Sequence, residues 1–430
     1  MSRIRIDGGR LIDPASGRDA PGSIFVANGR IVGIDSAPQS FEAESVIEAH
    51  DCLVFPGLID LRARLREPGE EHKGDIRSES RAAAAAGITT VCLPPDTDPC
   101  IDSAAVVELV HRCSAKAQGA RVQTIGALTA GLRGKHLSEM AGLRAAGCIA
   151  VSNAGRPLAG SQVIRRAMEY AADQGLLVII QANDPELANG GCAHEGPVAL
   201  RLGLPGIPEA AETAALARDL ELLAQTGARA HFTCLSTRRA VDMIDKARAE
   251  GLNVTADCAA HHLFLCDRDV DGFNAWCHLL PPLRDQRDRE GLRRALAEGR
   301  LAAACSDHQP HDIDAKLAPF PATAPGISAV ETLLPLIMRL VEEGLMSLPD
   351  ALARVTAGPA TVLGLPSGRL AVDAPADLCI FDPGPHWRLD PQRLLSHGKN
   401  TPFGDWDFKG RVRYTLLDGQ VIFDSDRDGA

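Results

Sequence analysis

Phe55-Pro56-Gly57-Leu58-Ile59-Asp60-Leu61-Arg62-Ala63-Arg64-Leu65-Arg66-Glu67-Pro68-Gly69 is where the chain changes rhythm. The stretch opens on an apolar run and closes on strict alternation, so Arg62, Arg64 and Arg66 fall on one face of a strand. Before it, short strand-like runs such as Ile4-Arg5-Ile6, Ile24-Phe25-Val26 and Cys52-Leu53-Val54 are separated by turn residues, Asn28-Gly29 among them. After it, apolar runs at 89–93, 122–125, 148–151, 177–180, 230–232, 253–256 and 302–305 alternate with helical patterns. Helices are predicted over 104–118, 162–174, 209–225, 237–250, 287–298, 326–343 and 348–357. Repeated strand–helix units predict an α/β protein built on a (β/α)8 TIM-type barrel rather than an open sheet. No dinucleotide fingerprint follows the first strand, which argues against a Rossmann arrangement.

Past Leu365 the strand signals return, at 376–381 and in a hairpin of 411–415 with 420–423 around Asp418-Gly419. The expected organisation is therefore a barrel over 56–365 and a small composite β domain made from 1–55 and 366–430, with 427–430 a loose end.

Bulk properties exclude several classes. The chain has 430 residues, 45% of them hydrophobic, which supplies a sizeable core. Its net charge of -11, without a basic stripe, argues against nucleic acid. No apolar run reaches the roughly 18 residues of a membrane span, and the N-terminus has no signal-peptide core. A cytoplasmic location is expected. The 12 cysteines form no CxxC pair and read as buried thiols rather than a disulfide framework.

The quoted stretch resembles the first barrel strand of the dihydroorotase family of amidohydrolases, which there reads P-G-x-I-D-x-H-x-H-x-R-E-P-G. Further similarities follow in order: Gly87-Ile88-Thr89-Thr90, Glu195-Gly196-Pro197, Leu235-Ser236-Thr237, His261-His262-Leu263, Pro281-Pro282-Leu283-Arg284, Ser306-Asp307-His308-Gln309-Pro310-His311 and Asn400-Thr401-Pro402-Phe403. The resemblance spans almost the whole chain and implies an amidohydrolase barrel that opens cyclic amides with a metal-bound hydroxide.

The chain departs from that pattern where the chemistry lies. The resemblance places Arg62 and Arg64 at the two His of H-x-H. Asn153 stands at the fourth-strand carboxylate, Gln181 at the fifth-strand His and Cys234 at the sixth-strand His. A guanidinium has no available lone pair and stays protonated. At about 4 Å and an effective dielectric near 20, each unit charge repels another by roughly 4 kcal/mol. Only Asp307 of the six positions survives, as a vestigial carboxylate, and one carboxylate does not hold zinc. No catalytic residue, metal or other cofactor is expected, although active relatives use zinc.

Of the substrate-like pocket, Arg66 matches the family's carboxylate clamp and His311 a substrate-contacting His. Asp96 stands where the family has an amide, and Leu280 where it has Asn. Arg62, Arg64 and Arg66 are expected to meet Asp307 at the barrel mouth. Adjacent His261 and His262 are expected on opposite sides of a strand or in loop caps. The resemblance extends to inactive homologues that assemble with aspartate carbamoyltransferase. It implies a structural subunit of such a complex, a homo- and hetero-oligomer in pyrimidine synthesis. Two other functions stay open: a divergent dihydroorotase or other cyclic amidohydrolase, and a protein binding a small anion in the arginine-lined mouth.

Overall fold

The computed structural model describes residues 3–158 and 160–428; the expected loose end at 427–430 therefore lies partly outside the described residues. Eight parallel strands form one ladder: β1 (Leu58–Asp60), β2 (Ile88–Leu93), β3 (Arg121–Ala127), β4 (Ala150–Ser152), β5 (Leu177–Ile180), β6 (Ala230–Phe232), β7 (Val254–Ala259) and β8 (Ala303–Cys305). Every residue of β2 is buried, as expected of strands covered on both faces. The ends of the ladder meet just past β1 and β8. There Ala63 and His308 form a parallel bridge, and the Arg64 N–H donates to the His308 carbonyl at 2.9 Å. This is the expected (β/α)8 barrel, with helices packed outside it.

Gly57 shows why the quoted stretch begins as it does. A Cβ there would lie 2.2 Å from the Thr89 side chain, so only glycine lets β1 approach β2. The helix Ile76–Ala85, Ala-rich and unpredicted, starts on a capping box of Asp75 and Ser78. Thr237 caps Arg238–Ala249 through the Ala240 N–H, and Gly227, in left-handed backbone, ends Glu209–Thr226.

Strands from both ends of the chain share a second sheet. Its order runs Gln420–Asp424, Asp407–Leu417, Leu378–Arg388, Leu53–Pro56, Ile4–Asp13, Arg18–Ala27 and Arg30–Ile34, with Ser45–Glu48 also paired to Ile4–Asp13. Its core holds Ile6, Leu11, Ile24, Ile31, Val54, Leu378 and Leu416. No helix among the described residues is long and apolar enough to cross a membrane.

Two predicted helices need correction. The one expected over 326–343 begins only at Leu333. Gly326 has φ +123, and Ile327 is drawn into a bridge with His308, so the chain cannot be helical there. The one expected over 348–357 stops at Ala353, and Ala357–Leu363 is a separate helix.

Candidate functional site

The C-terminal ends of β1 and β8 are fastened by a buried carboxylate. Asp60 accepts from the Ser306 N–H at 2.9 Å and from the Ser306 hydroxyl, and the Arg62 N–H lies 3.3 Å from it. Burial, with Asp60 fully enclosed, pushes its pKa up to about 7 despite these donors. This clasp fixes where Arg62, Arg64 and Asp307 emerge.

Arg62 and Arg64 converge on Asp307. Arg62 Nε lies 2.9 Å from Asp307 Oδ1, an ion pair whose N–H is not aligned for a hydrogen bond. Arg62 Nη2 donates to Gln181 Oε1 at 2.7 Å, and Nη1 points at Cys234 Sγ, 3.8 Å away. Arg64 donates through Nε to Asp96 Oδ2 at 2.7 Å and through Nη1 to Asp307 Oδ1 at 3.3 Å. Gln309 Nε2 donates to the other Asp307 oxygen at 3.2 Å. Two cations thus meet two anions in a buried quartet of zero net charge. Burial is the largest single influence on Arg62 and opposes its charge, but the fields of Asp307 and the groups around it together outweigh burial and raise the pKa. Burial likewise pushes Asp96 up, but Arg64, with Arg62 and Arg66, together outweighs it and holds the carboxyl below its ordinary range.

Arg66 does not join this cluster, contrary to expectation. It turns to the Pro310 carbonyl at 2.9 Å, Glu70 at 2.9 Å and His311 Nε2 at 3.1 Å. The physical reason is a left-handed backbone at Arg66, φ +66, which breaks the strand alternation two residues past Arg64. His311 Nε2 also lies 3.1 Å from the Pro325 carbonyl, and its buried Nδ1 has no partner among the described residues. Burial, then Arg66, hold the imidazole neutral with a pKa lowered to about 3. Above the quartet opens a cavity of about 510 Å³. Arg62, Arg64, Arg66, Arg156, Arg284 and His311 line it, with Asp96 and Glu212.

Residues 51–240 match a family model described as dihydro-orotase-like, and residues 321–423 one described as amidohydrolase family. A dihydroorotase-like protein of Pseudomonas aeruginosa is 49% identical over 97% of this chain and 99% of its own. A protein named dihydroorotase in Syntrophotalea carbinolica is 44% identical over 98% and 99%. The chain belongs to the dihydroorotase-like family. Among solved structures, an L-hydantoinase (dihydropyrimidinase) of Arthrobacter aurescens superposes with a TM-score of 0.89, covering 99% of this chain and 96% of its own at 21% identity, which shows the shared fold.

The residues at the ligand positions do not fit the metal that the dihydroorotase resemblance implies. Arg62 and Arg64 can only donate. Asn153 is spent on structure: its Oδ1 accepts from Thr129 at 2.7 Å and its Nδ2 donates to the Arg156 carbonyl at 2.9 Å. The Gln181 oxygen is engaged by Arg62, and Asp307 by two guanidiniums. Cys234 turns down into the barrel, its sulfur 3.6 Å from Cys305 Sγ. The left-handed backbones of Cys234 and Asp307, φ +55 and +47, are the kind that ordered functional sites retain at roughly 1–3 kcal/mol each.

Several participants escaped the sequence reading. Asp257 anchors β6 to β7 beneath the site, accepting from the Cys234 N–H at 2.6 Å and facing His231 Nε2 at 2.9 Å. With Cys234 and Cys305 it forms a group whose possible ligand atoms lie within 4.8 Å of one another, the two Asp257 oxygens already engaged by the Cys234 N–H and His231. His308 faces Glu79 at 2.9 Å and accepts the Ala329 N–H. Nothing local marks Asp257 or Glu79, since their partners lie far along the chain. His261 and His262 sit in a short 3₁₀ turn, not on a strand. Both are buried, their rings 4.6 Å apart, and among the described residues none of their ring nitrogens has a hydrogen-bond partner. Burial holds both neutral, His262 at about 4.

Proposed function

We propose that this chain is a catalytically inactive dihydroorotase homologue that serves as a structural subunit of an aspartate carbamoyltransferase complex in cytoplasmic pyrimidine synthesis. The observation that supports it most is the Arg62–Asp307 pair, 2.9 Å apart, with Gln181 closing the other edge of the guanidinium. Protein cations fill the place where the family's metal would activate water. Without a metal to bring the pKa of bound water toward ~7, hydroxide is scarce at neutral pH. The retained residues do not replace it: Asp307 is pinned, and His311 faces a guanidinium. What remains is a whole barrel and β domain, useful as a scaffold.

The second reading, a divergent dihydroorotase, draws support from the name carried by the Syntrophotalea carbinolica relative. One experiment separates the two. Protein purified without chelator is expected to carry clearly less than one zinc per chain. It is also expected to neither hydrolyse dihydroorotate nor cyclise carbamoyl-aspartate above blank, with or without added zinc. A rate proportional to protein concentration and lost in Asp307→Asn establishes the enzyme reading instead.

A further inference from the structure

A second cavity lies away from the barrel mouth, between the outer helices and the second sheet. Its volume is about 180 Å³, and it shares no lining residue with the mouth. The strands Leu378–Arg388 and Asp407–Leu417 contribute Phe381 and Val412 to its wall. The helix Leu333–Glu342 contributes Leu334, and Leu394 and Phe423 come from the segments after the two strands. All five side chains are buried, so the floor is apolar.

Two arginines at this cavity have no counter-ion. Arg393 and Arg411 both line it, and among the described residues neither side chain forms an ion pair or a hydrogen bond. Elsewhere, partly buried arginines such as Arg62, Arg64 and Arg121 each meet a carboxylate. The third arginine of the wall, Arg388, is paired with Asp407 at 3.0 Å. The carboxylates nearby are turned to backbone. Asp390 accepts the Gln392 N–H at 2.9 Å, and Glu331 accepts the Leu395 and Ser396 N–H groups at 3.0 and 2.8 Å. Asp382, opposite Arg411 in the strand ladder, accepts the Gly384 N–H at 2.9 Å. Burial, then the neighbouring Arg393 guanidinium, lower the Arg411 pKa from its ordinary value, and no carboxylate offsets them. A half-buried cation with a like charge beside it is an environment that an anion relieves.

Arg411 is also held in place. Its guanidinium carbon lies over the Trp387 ring, 4.4 Å from the centroid. Trp387 is itself fixed: its Nε1 donates to the Gly410 carbonyl at 2.8 Å, and its ring packs on Phe408 with centroids 5.3 Å apart. A guanidinium resting on a ring face keeps its N–H edge free, and that edge matches a carboxylate in bidentate fashion. Size limits the rest of the ligand. An apolar cavity of about 150 Å³ admits benzene, so this one takes a single ring or a short branched chain. A bare anion would leave the floor wet, and a neutral hydrocarbon would leave the arginines unpaired.

We propose that this cavity binds a small organic carboxylate whose body is one ring or a short branched chain. The carboxylate pairs with Arg411 and Arg393, and the body lies on Leu334, Phe381, Val412 and Phe423. The site is independent of the assembly reading above and of the arginines at the barrel mouth.

Calorimetric titration of the full chain with benzoate tests this. One site per chain is expected, with a Kd of about 1 mM or tighter. Benzyl alcohol, which keeps the ring, and acetate, which keeps the charge, are each expected to bind at least tenfold more weakly. Arg411→Gln is expected to raise the benzoate Kd at least tenfold, and Arg393→Gln to raise it by a smaller factor. Arg393 is exposed and Arg411 half-buried, and unchanged thermal unfolding verifies that the variants are folded. Arg156→Gln, at the barrel mouth, is the control expected to bind benzoate like wild type. No saturable binding at ten times the stated concentration overturns the site. So do folded Arg411→Gln and Arg393→Gln that both keep the wild-type Kd, and so does loss of binding in Arg156→Gln, which places benzoate in the mouth. Acetate or benzyl alcohol that binds as tightly as benzoate overturns the two-part recognition of charge and apolar body.

Discussion

At the scale of single residues, Asp307 changes role without changing identity. In the resemblance it is a ligand; here it is the counter-charge that lets two guanidiniums be buried. Removing one partner of a buried ion pair leaves an uncompensated charge and typically costs about 3–5 kcal/mol. Asp307→Asn tolerates the left-handed backbone as Asp does, so it isolates the charge. It is expected to lower unfolding free energy by about 3 kcal/mol, read from urea midpoints at unchanged slope. A loss below about 1 kcal/mol would mean the quartet is not electrostatically closed. His311 gives a second, pH-dependent expectation. Its folded pKa is lowered to about 3, against about 6.5 unfolded. Between those values the unfolded chain binds the extra proton, so this residue's contribution to stability is intact above about pH 6.5 and lost as pH falls. His311→Gln removes that loss. Relative to wild type the variant is expected to gain up to about 1.4 kcal/mol per pH unit from pH 6.5 to 4. A stability difference that is flat over this window contradicts a neutral buried His311.

At the scale of elements, the strand ends explain both what was legible and what was not. The alternation of Leu61, Ala63 and Leu65 with three arginines, and the rhythm of runs after it, point to the barrel because strand and helix periodicities are local. The ligand positions were legible only through the family resemblance, which sets Arg62 and Arg64 at the two His of H-x-H; their i, i+2 spacing adds a shared face, and a guanidinium ligates no metal in any register. The turn of Arg66 away from Asp307 was not legible, since strand alternation does not foretell a left-handed backbone of φ +66 at that residue. Nor was the neutralisation of Asp96, which depends on Arg64 reaching across to another strand end. Asp96 therefore meets an incoming anion as half of an ion pair, not as a free charge. The Asp60–Ser306 clasp carries a further expectation. It holds the strand ends independently of the two arginines, so Arg62→His with Arg64→His is expected to fold, at a stability cost from the uncompensated Asp96 and Asp307, and to recover nothing. Asn153 remains bonded to Thr129 and Arg156, Gln181 is an amide, and Cys234 points to Cys305. No zinc-dependent hydrolysis of dihydroorotate is expected from the double variant. Measurable activity there would mean that other side chains already complete a ligand set.

At the scale of the whole molecule, the question is what a barrel gains by being closed with ion pairs. The β1 and β8 ends are joined through Asp60, the Ala63–His308 bridge and the charge quartet, all of them protein groups. A scaffold that is complete as soon as it folds suits an assembly role better than one whose shape waits for metal. Specific interfaces cover about 1,200–2,000 Å² in total, an area a barrel end can supply. Co-expression with aspartate carbamoyltransferase is expected to give a species heavier than either protein alone by light scattering. On the proposed reading, in which no metal bridges or shapes the contact, chelator is expected to leave its mass unchanged. Asp307→Asn separates scaffold from site: at a temperature well below its lowered midpoint it is expected to assemble like wild type, since Asp307 is buried beneath the cavity floor and 2% exposed. Thermal unfolding measured beside the assembly assay distinguishes a lost interface from a lost fold. If both proteins are folded yet migrate separately at micromolar concentration, the scaffold role fails and the cationic mouth is left to bind a small anion instead.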